Sequence, residues 1–355
     1  MSIKYFTLHQ LGWRPGYSHH LTLQDFEAGY PARVVGVHRS GLSVLSARGA
    51  STVSLLHGSA TGVEPAVTVG DWLLIEMDAP RVLRVLERYS LIVRIAAGSE
   101  HRMQAIAANL DTLFVVTSCN DDFNLSRLER YLAVAFEAGV EPVIVLTKAD
   151  LCADVGAYLD AVRSIAPTIG FMAIDATSAT ASGLLAPWLA DGQTVAFVGS
   201  SGVGKSTLAN TLVGDSTQAT GGIREDDARG RHTTTAREMF VLPGGAWVID
   251  TPGMRELRVG AIEAGMGAVF DDIETLAAQC RFHDCRHDGD RGCAVESAIA
   301  GGQLDGRRLV NYRKLQREAA NAVRTTRERR EQDRHYGLLN RTAQRLQREK
   351  KGRDY

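Results

Sequence analysis

The chain has 355 residues, 45% of them hydrophobic, and a formal net charge of -1. That is enough apolar material for a large core divided among two or three domains, and it excludes wholesale disorder. No stretch of about eighteen apolar residues occurs, and the opening MSIKYFTLHQLGWRPGYSHH has no apolar signal core, so the sequence predicts a cytoplasmic protein with no membrane association and a monomer by default.

Residues 1–30 read as a leader without strong basic character. Residues 31–97 hold short β-branched runs, among them ARVVGVH, LSVLSA, WLLIE, RVLRVLE and LIVRI, separated by Gly, Pro, Ser and Asp. This is the pattern of a small all-β barrel or sandwich. Trp72 offers two readings, a core tryptophan or a platform for a nucleic-acid base.

From residue 104 to 276 strands and helices alternate. LDTLFVVTS and EPVIVLTKAD are nearly continuous apolar strands, as a parallel sheet buried on both faces requires, and LSRLERYLAVAFEAG between them is an amphipathic helix with Gly139 as its stop. Further strands fall at FMAIDA, TVAFVGS, EMFVLP and AWVIDT, which predicts a doubly wound α/β domain.

Three motifs in this stretch carry chemistry. GSSGVGKST supplies Gly199, Ser200, Ser201, Gly202, Val203, Gly204, Lys205, Ser206 and Thr207 between a strand and a helix, the setting in which backbone N–H groups and a helix N-terminus cradle phosphates. Lys205 is the expected contact to the β and γ phosphates and Ser206 a ligand of Mg²⁺. DTPG puts Asp250 at a strand end, where it would hold Mg²⁺, and Gly253 where its N–H would sense the γ-phosphate.

TKAD supplies Thr147, Lys148, Ala149 and Asp150. The Asp150 carboxylate is an acceptor for the ring N–H and amino group of guanine, which adenine does not match, and the Lys148 stem would pack along the purine. Thr147 stands where many GTPases have Asn, which predicts a shorter or weaker link to the phosphate loop. DATSA, from Asp175, is the candidate second base loop. In an ordinary GTPase the phosphate loop comes first and the base-reading motif last; here TKAD precedes it, so the domain is expected to be circularly permuted.

Between the phosphate loop and DTPG lies a polar segment, ATGGIREDDARGRHTTTARE, read as a first switch in which Thr233, Thr234 or Thr235 reaches Mg²⁺. Met254 follows DTPG and cannot orient a water, which makes His232 a candidate for that role; contact to phosphate or RNA is the other reading.

Residues 277–335 open on Cys280, Cys285, His287 and Cys293, a donor set suited to tetrahedral structural Zn²⁺, with His283 a competing ligand. A helical region follows, then a basic tail at 336–355. From Asp305 onward there are 16 Lys/Arg against 7 Asp/Glu, a net +9 that points either to a polyanionic partner or to a solvated charged helix.

With the permuted order TKAD, GSSGVGKST, DTPG, the sequence RGRHTTT, and CRFHDCRH followed by GCAV in place, the chain resembles the RsgA (YjeQ) family of small-subunit-dependent GTPases over nearly its whole length. The resemblance implies an N-terminal OB-fold, a permuted GTPase domain, a zinc-binding domain and a variable tail. It implies GTP hydrolysis to GDP, stimulated by the small ribosomal subunit during late maturation, with rRNA contacts from the OB and zinc domains. It assigns guanine recognition to Thr147, Lys148 and Asp150, phosphate binding to Gly199 through Thr207, and zinc to Cys280, Cys285, His287 and Cys293. It assigns the switch Mg²⁺ contact to Thr234 and assistance in hydrolysis to His232. A non-ribosomal regulatory GTPase whose tail binds another polyanion, and an ATPase without guanine reading, are the alternatives.

Overall fold

The computed structural model describes residues 5–38, 41–54, 66–95, 103–214, 237–250 and 262–323. His232, Thr233, Thr234, Thr235, Gly253, Met254 and the tail at 336–355 lie outside the described residues. The chain opens with two short helices, α1 (Pro15–His19) and α2 (Leu23–Ala28). Thr22 and Asp25 cap each other at the start of α2, side chain to backbone in both directions, which fixes where this six-residue helix begins.

Five antiparallel strands follow: β1 (Gly29–His38), β2 (Gly41–Ser46), β3 (Gly49–Val53), β4 (Trp72–Glu76) and β5 (Val82–Val85), in spatial order β3-β2-β1-β4-β5. Their period of two sorts the side chains. Ala32, Val34, Leu42, Val44, Leu73 and Ile75 fill one small core, while Trp72 and Leu74 turn to the opposite face and join the main core. Among the described residues no pairing joins β3 to β5, so barrel closure is not seen.

Trp72 is fully buried, edge-on to Trp13 at 4.8 Å and packed near Tyr17 at 5.8 Å. That resolves the two readings of this residue in favour of the core. The leader is therefore structural: Leu11 is fully buried, and the Trp247 indole donates 2.7 Å to the Gln10 carbonyl. Arg33, only 1% exposed, reaches from β1 to the leader and the α/β core together, donating to the Leu11 carbonyl at 2.6 Å and to Thr194 Oγ1 at 2.8 Å. Burial pulls its pKa down, and these oxygens are what hold a charge there.

The run LIVRI forms β6 (Leu91–Ile95), which pairs with β7 (Met103–Ala108) in a separate two-stranded sheet rather than with the other N-terminal strands. The α/β core then runs β8 (Thr112–Ser118), α3 (Leu125–Glu137), β9 (Glu141–Thr147), α4 (Val155–Ile165), β10 (Gly170–Ala173), α5 (Thr180–Leu185), β11 (Thr194–Val198), α6 (Lys205–Val213), β12 (Arg237–Val241) and β13 (Trp247–Asp250). Strands β10-β9-β8-β11-β13 are parallel neighbours. Alternate residues of β8 serve different layers: Leu113 and Val115 face α3, while Phe114 and Val116 face α5 and α6.

The sheet does not stop at β13. β12 pairs antiparallel with it and then with β1, in the register Gly36↔Glu238 and Val37↔Arg237, so α/β and N-terminal strands form one eleven-stranded sheet among the described residues. After the core come α7 (Glu263–Val269), α8 (Asp271–Ala277), α9 (Ala294–Ala300) and α10 (Gly306–Val323). Val295, Leu304, Leu309 and Leu315 belong to the same buried cluster as α3, so this C-terminal region shares the α/β core's hydrophobic interior. Helix α7 lies so close to α3 that a Cβ on Gly265 would sit 1.9 Å from the Ala133 carbonyl; only glycine fits there.

Candidate functional site

Because β8, β9, β10, β11 and β13 are parallel, everything that leaves their C-terminal ends leaves one edge of the sheet. That edge receives the phosphate loop after β11, TKAD after β9, DATSA after β10 and Asp250 at the end of β13. The connections from β8 and β11 diverge in opposite directions along the sheet, which opens a crevice between them, the usual ligand position in an open α/β fold.

The phosphate loop turns tightly at this crevice. Gly199, Gly202 and Gly204 all have positive φ, and at Gly199 (φ 146°) a side chain would also collide with the Val116 carbonyl at 2.1 Å. The sequence requirement for glycine at the start of the loop is thus imposed by β8 as much as by a ligand. Lys205 begins α6 and folds back over the loop, its ammonium donating to the carbonyls of Gly199, at 3.0 Å, and Ser200. Ser206 and Thr207 continue the first turn of α6.

TKAD meets this loop directly. Thr147 is fully buried, and its hydroxyl lies within donating distance of the Val203 carbonyl in the phosphate loop and of the Thr117 carbonyl on β8, at 3.1 Å to the latter. The expectation of a weaker link at this position meets a direct bond: threonine is shorter than asparagine, but the loop comes to it, so close that a Cβ on Gly204 would sit 3.3 Å from Thr147 Oγ1. Lys148 adopts a left-handed conformation (φ 58°), which swings the chain into a short 3₁₀ turn carrying Ala149 and an exposed Asp150. The Ala149 N–H donates to the Ile174 carbonyl, and the Thr211 hydroxyl donates 2.7 Å to the Ala176 carbonyl, so the DATSA segment is tied to TKAD and to α6. Within it the Thr177 hydroxyl and N–H hold the Asp175 carboxyl below the usual carboxylate range.

The second site lies beyond α8. Cys280 Sγ, Cys285 Sγ, His287 Nδ1 and Cys293 Sγ all fall within 4.8 Å of one another, while His283 is exposed and outside the group. His287 Nδ1 is 3.6, 3.5 and 3.4 Å from the three sulfurs, and Cys280 and Cys293 are 4.0 Å apart. A tetrahedral centre with metal–sulfur bonds of about 2.3 Å and a metal–nitrogen bond of about 2.0 Å requires edges of about 3.5–3.8 Å. The donor set therefore fits a closed four-ligand zinc site.

Its surroundings act on the sulfurs unequally. Backbone N–H groups of Ala294 and Glu296 at the start of α9 each point 3.4 Å to a sulfur, whereas the Asp290 carboxylate, which accepts 2.8 Å from the Arg286 N–H, also accepts from the Cys285 thiol at 3.5 Å and opposes its ionisation. Burial pushes the Cys280 thiol up, but backbone N–H donation and its two sulfur neighbours outweigh that and lower it; Cys285 is pushed up to about 12, mainly by burial. A divalent cation held there would favour the thiolate form of its sulfur ligands.

Sequence reasoning passed over one residue at the crevice. Arg127 stands in the first turn of α3, capped by Asn124, and its Nη1 contacts Ser200 Oγ of the phosphate loop and both oxygens of Asp122 at 3.0 Å. The signal was present: a cation in a helix's first turn opposes the helix dipole and needs a reason to be there.

Comparisons with known proteins bear on the whole arrangement. A family profile described as RsgA GTPase matches residues 85–260. A profile described as ABC transporter matches residues 188–336, a stretch that includes the phosphate loop common to P-loop nucleotide hydrolases. The Small ribosomal subunit biogenesis GTPase RsgA 2 of Vibrio vulnificus (strain CMCP6) is 49% identical over 96% of this chain and 95% of its own. The Small ribosomal subunit biogenesis GTPase RsgA of Mesorhizobium japonicum (strain LMG 29417 / CECT 9101 / MAFF 303099) is 47% identical over 88% and 90%. Among solved structures, YjeQ from Thermotoga maritima superposes with a TM-score of 0.59 at 23% identity, covering 81% of this chain and 96% of that one. YloQ, described as a circularly permuted GTPase, gives 0.57 at 20% identity, covering 82% and 96%. These two share the fold, and the first two share the sequence along almost its full length. With TKAD before the phosphate loop and joined to it through Thr147, and with 49% and 47% identity to these relatives over 96% and 88% of its length, the chain belongs to the RsgA GTPase family.

Proposed function

We propose that this protein is a GTP hydrolase that assists biogenesis of the small ribosomal subunit. The observation that carries the reading is the meeting of TKAD and the phosphate loop at one crevice, in a chain aligned over 96% of its length with a relative named for that function. Asp150 supplies the guanine-selective acceptor and Lys148 the apolar stem along the base, while Gly199 through Thr207 wrap the phosphates. Lys205 leaves its loop carbonyls for the β and γ phosphates, so its ammonium is already at the loop when nucleotide arrives. His232, Thr234 and Gly253 keep the switch roles that the resemblance implies.

The hydroxyl of Ser206 and the carboxylate of Asp250 are hard oxygen donors suited to Mg²⁺, with Thr234 completing the set, and the ion would neutralise phosphate charge. The Cys280, Cys285, His287 and Cys293 group would hold one structural Zn²⁺, leaving no open position for catalysis. The N-terminal strands would act as an OB-fold and, with the zinc region and the basic tail, face rRNA. No described helix is long and apolar enough to cross a membrane, and we read the protein as a cytoplasmic monomer.

The decisive measurement is GTP turnover with and without purified small subunits, in the wild type and in Lys205→Ala. A rise well above twofold on adding subunits, abolished in the variant, is expected. Stimulation below about twofold would return the reading to a non-ribosomal regulatory GTPase, and turnover surviving in Lys205→Ala would remove the site assignment.

A further inference from the structure

The crevice between β8 and β11 has two walls. One is the phosphate loop, whose contents are read above. The other is the β8–α3 connection and the first turn of α3, and the residue that spans from it to the loop is Arg127. We propose that Arg127 is a positioning residue for GTP hydrolysis, setting the phosphate loop by gripping Ser200.

Three observations support this. Ser200 is held twice: its carbonyl accepts from the Lys205 ammonium, and its hydroxyl meets the Arg127 guanidinium. The position of Arg127 therefore sets the loop segment against which Lys205 lies before nucleotide binds, and it keeps its own hold on Ser200 Oγ once the lysine has turned to the phosphates. The guanidinium is itself aimed, because Asp122 takes the same Nη1 at 3.0 Å through both carboxylate oxygens. The turn that carries it is fixed from behind, since Arg307 and Asn311 of α10 donate 3.2 Å to the hydroxyl and carbonyl of Ser126, the residue before it. Preorganisation of this kind acts on rate, because a loop displaced by a fraction of an ångström still binds nucleotide but presents the phosphates off line.

The side chains of Arg127 and Asp122 are 34% and 38% exposed, so this ion pair is screened and contributes little to stability. A purely structural role would therefore leave hydrolysis nearly untouched. The proposal rests on the reading of the phosphate loop as a GTP site.

The test is a cycle of Arg127→Ala, Ser200→Ala and the double variant in the full chain, with subunit-stimulated kcat and KM for GTP, GDP affinity and thermal melting measured for each. Arg127→Ala is expected to lower kcat about tenfold with KM changed less than about twofold and the melting temperature nearly unchanged. The double variant is expected to be no slower than Ser200→Ala, since both substitutions remove one contact. A wild-type kcat in Arg127→Ala, or losses that multiply in the double variant, would overturn the proposal. Should the alanine variant fail to fold, Arg127→Gln takes its place in the cycle. Failure of the GTPase reading is separately visible, as turnover that survives Lys205→Ala.

Discussion

Thr147 makes the clearest case at the scale of single residues. It ends β9 opposite Ser118 of β8, and from there its hydroxyl reaches the Val203 carbonyl in the loop after β11. Replacing it with valine keeps the shape and deletes the donor. Loss of one neutral hydrogen bond is about 1 kcal/mol, so Thr147→Val should weaken GDP binding about fivefold, read by fluorescence titration, with the fold intact. An unchanged affinity would mean that the hydroxyl spends its proton on Thr117 instead. Residues of this kind mark the border of what the sequence tells. The motif order and the grouping of Cys280, Cys285, His287 and Cys293 were legible because phosphate and metal chemistry demand fixed residue types at fixed spacing. The Thr147 bond and the Arg127 contact were not, because each depends on which strands lie side by side, and spacing along the chain does not encode that.

At the scale of elements, α3 is the joint of the molecule. Its inner face packs on β8, its backbone touches α7 at Gly265, and Glu129, fully buried, is met by Arg307 at 2.9 and 3.0 Å, Arg308 at 2.9 Å and Asn311 at 2.6 Å from α10. Arg308, also buried, reaches on to Asp272 of α8 at 2.7 and 3.0 Å. Burying this carboxylate is tolerable only because its hydrogen bonds are satisfied, and removing it strands a buried guanidinium. Glu129→Ala should therefore cost about 3–5 kcal/mol in urea unfolding, whereas Arg307→Ala, at a side chain 31% exposed, should cost no more than about 1. Equal costs would show that the clamp is a surface feature. The sequence foretold an amphipathic α3 from its 3.6 period, yet the same pattern hid Glu129, because a charge at a buried position reads as an exposed one until its partners, nearly 180 residues away, are known.

At the scale of the whole molecule, the motif order predicted a permuted core, and the parallel strands bear that out. What the sequence did not reveal is that the N-terminal strands extend that core's own sheet through β12 and β1, or that the leader fills the seam with Leu11 and Trp13 against Trp72. Leader side chains of this sort carry no period, so nothing local marks them as interior. A chain begun at residue 104, the boundary that the sequence suggests, would bare the β12 edge and the apolar face that Trp72 covers. Such a fragment should aggregate, judged by size-exclusion chromatography, where the full chain remains dispersed; a folded, monodisperse fragment would contradict the seam. The same pairing sets a timetable during synthesis. Strand β1 emerges first and its partner Arg237–Val241 some two hundred residues later, so the N-terminal strands wait with one edge unpaired while the phosphate loop, TKAD and most of the sheet are still being made. The nascent chain cannot acquire its full sheet before the phosphate loop has left the ribosome.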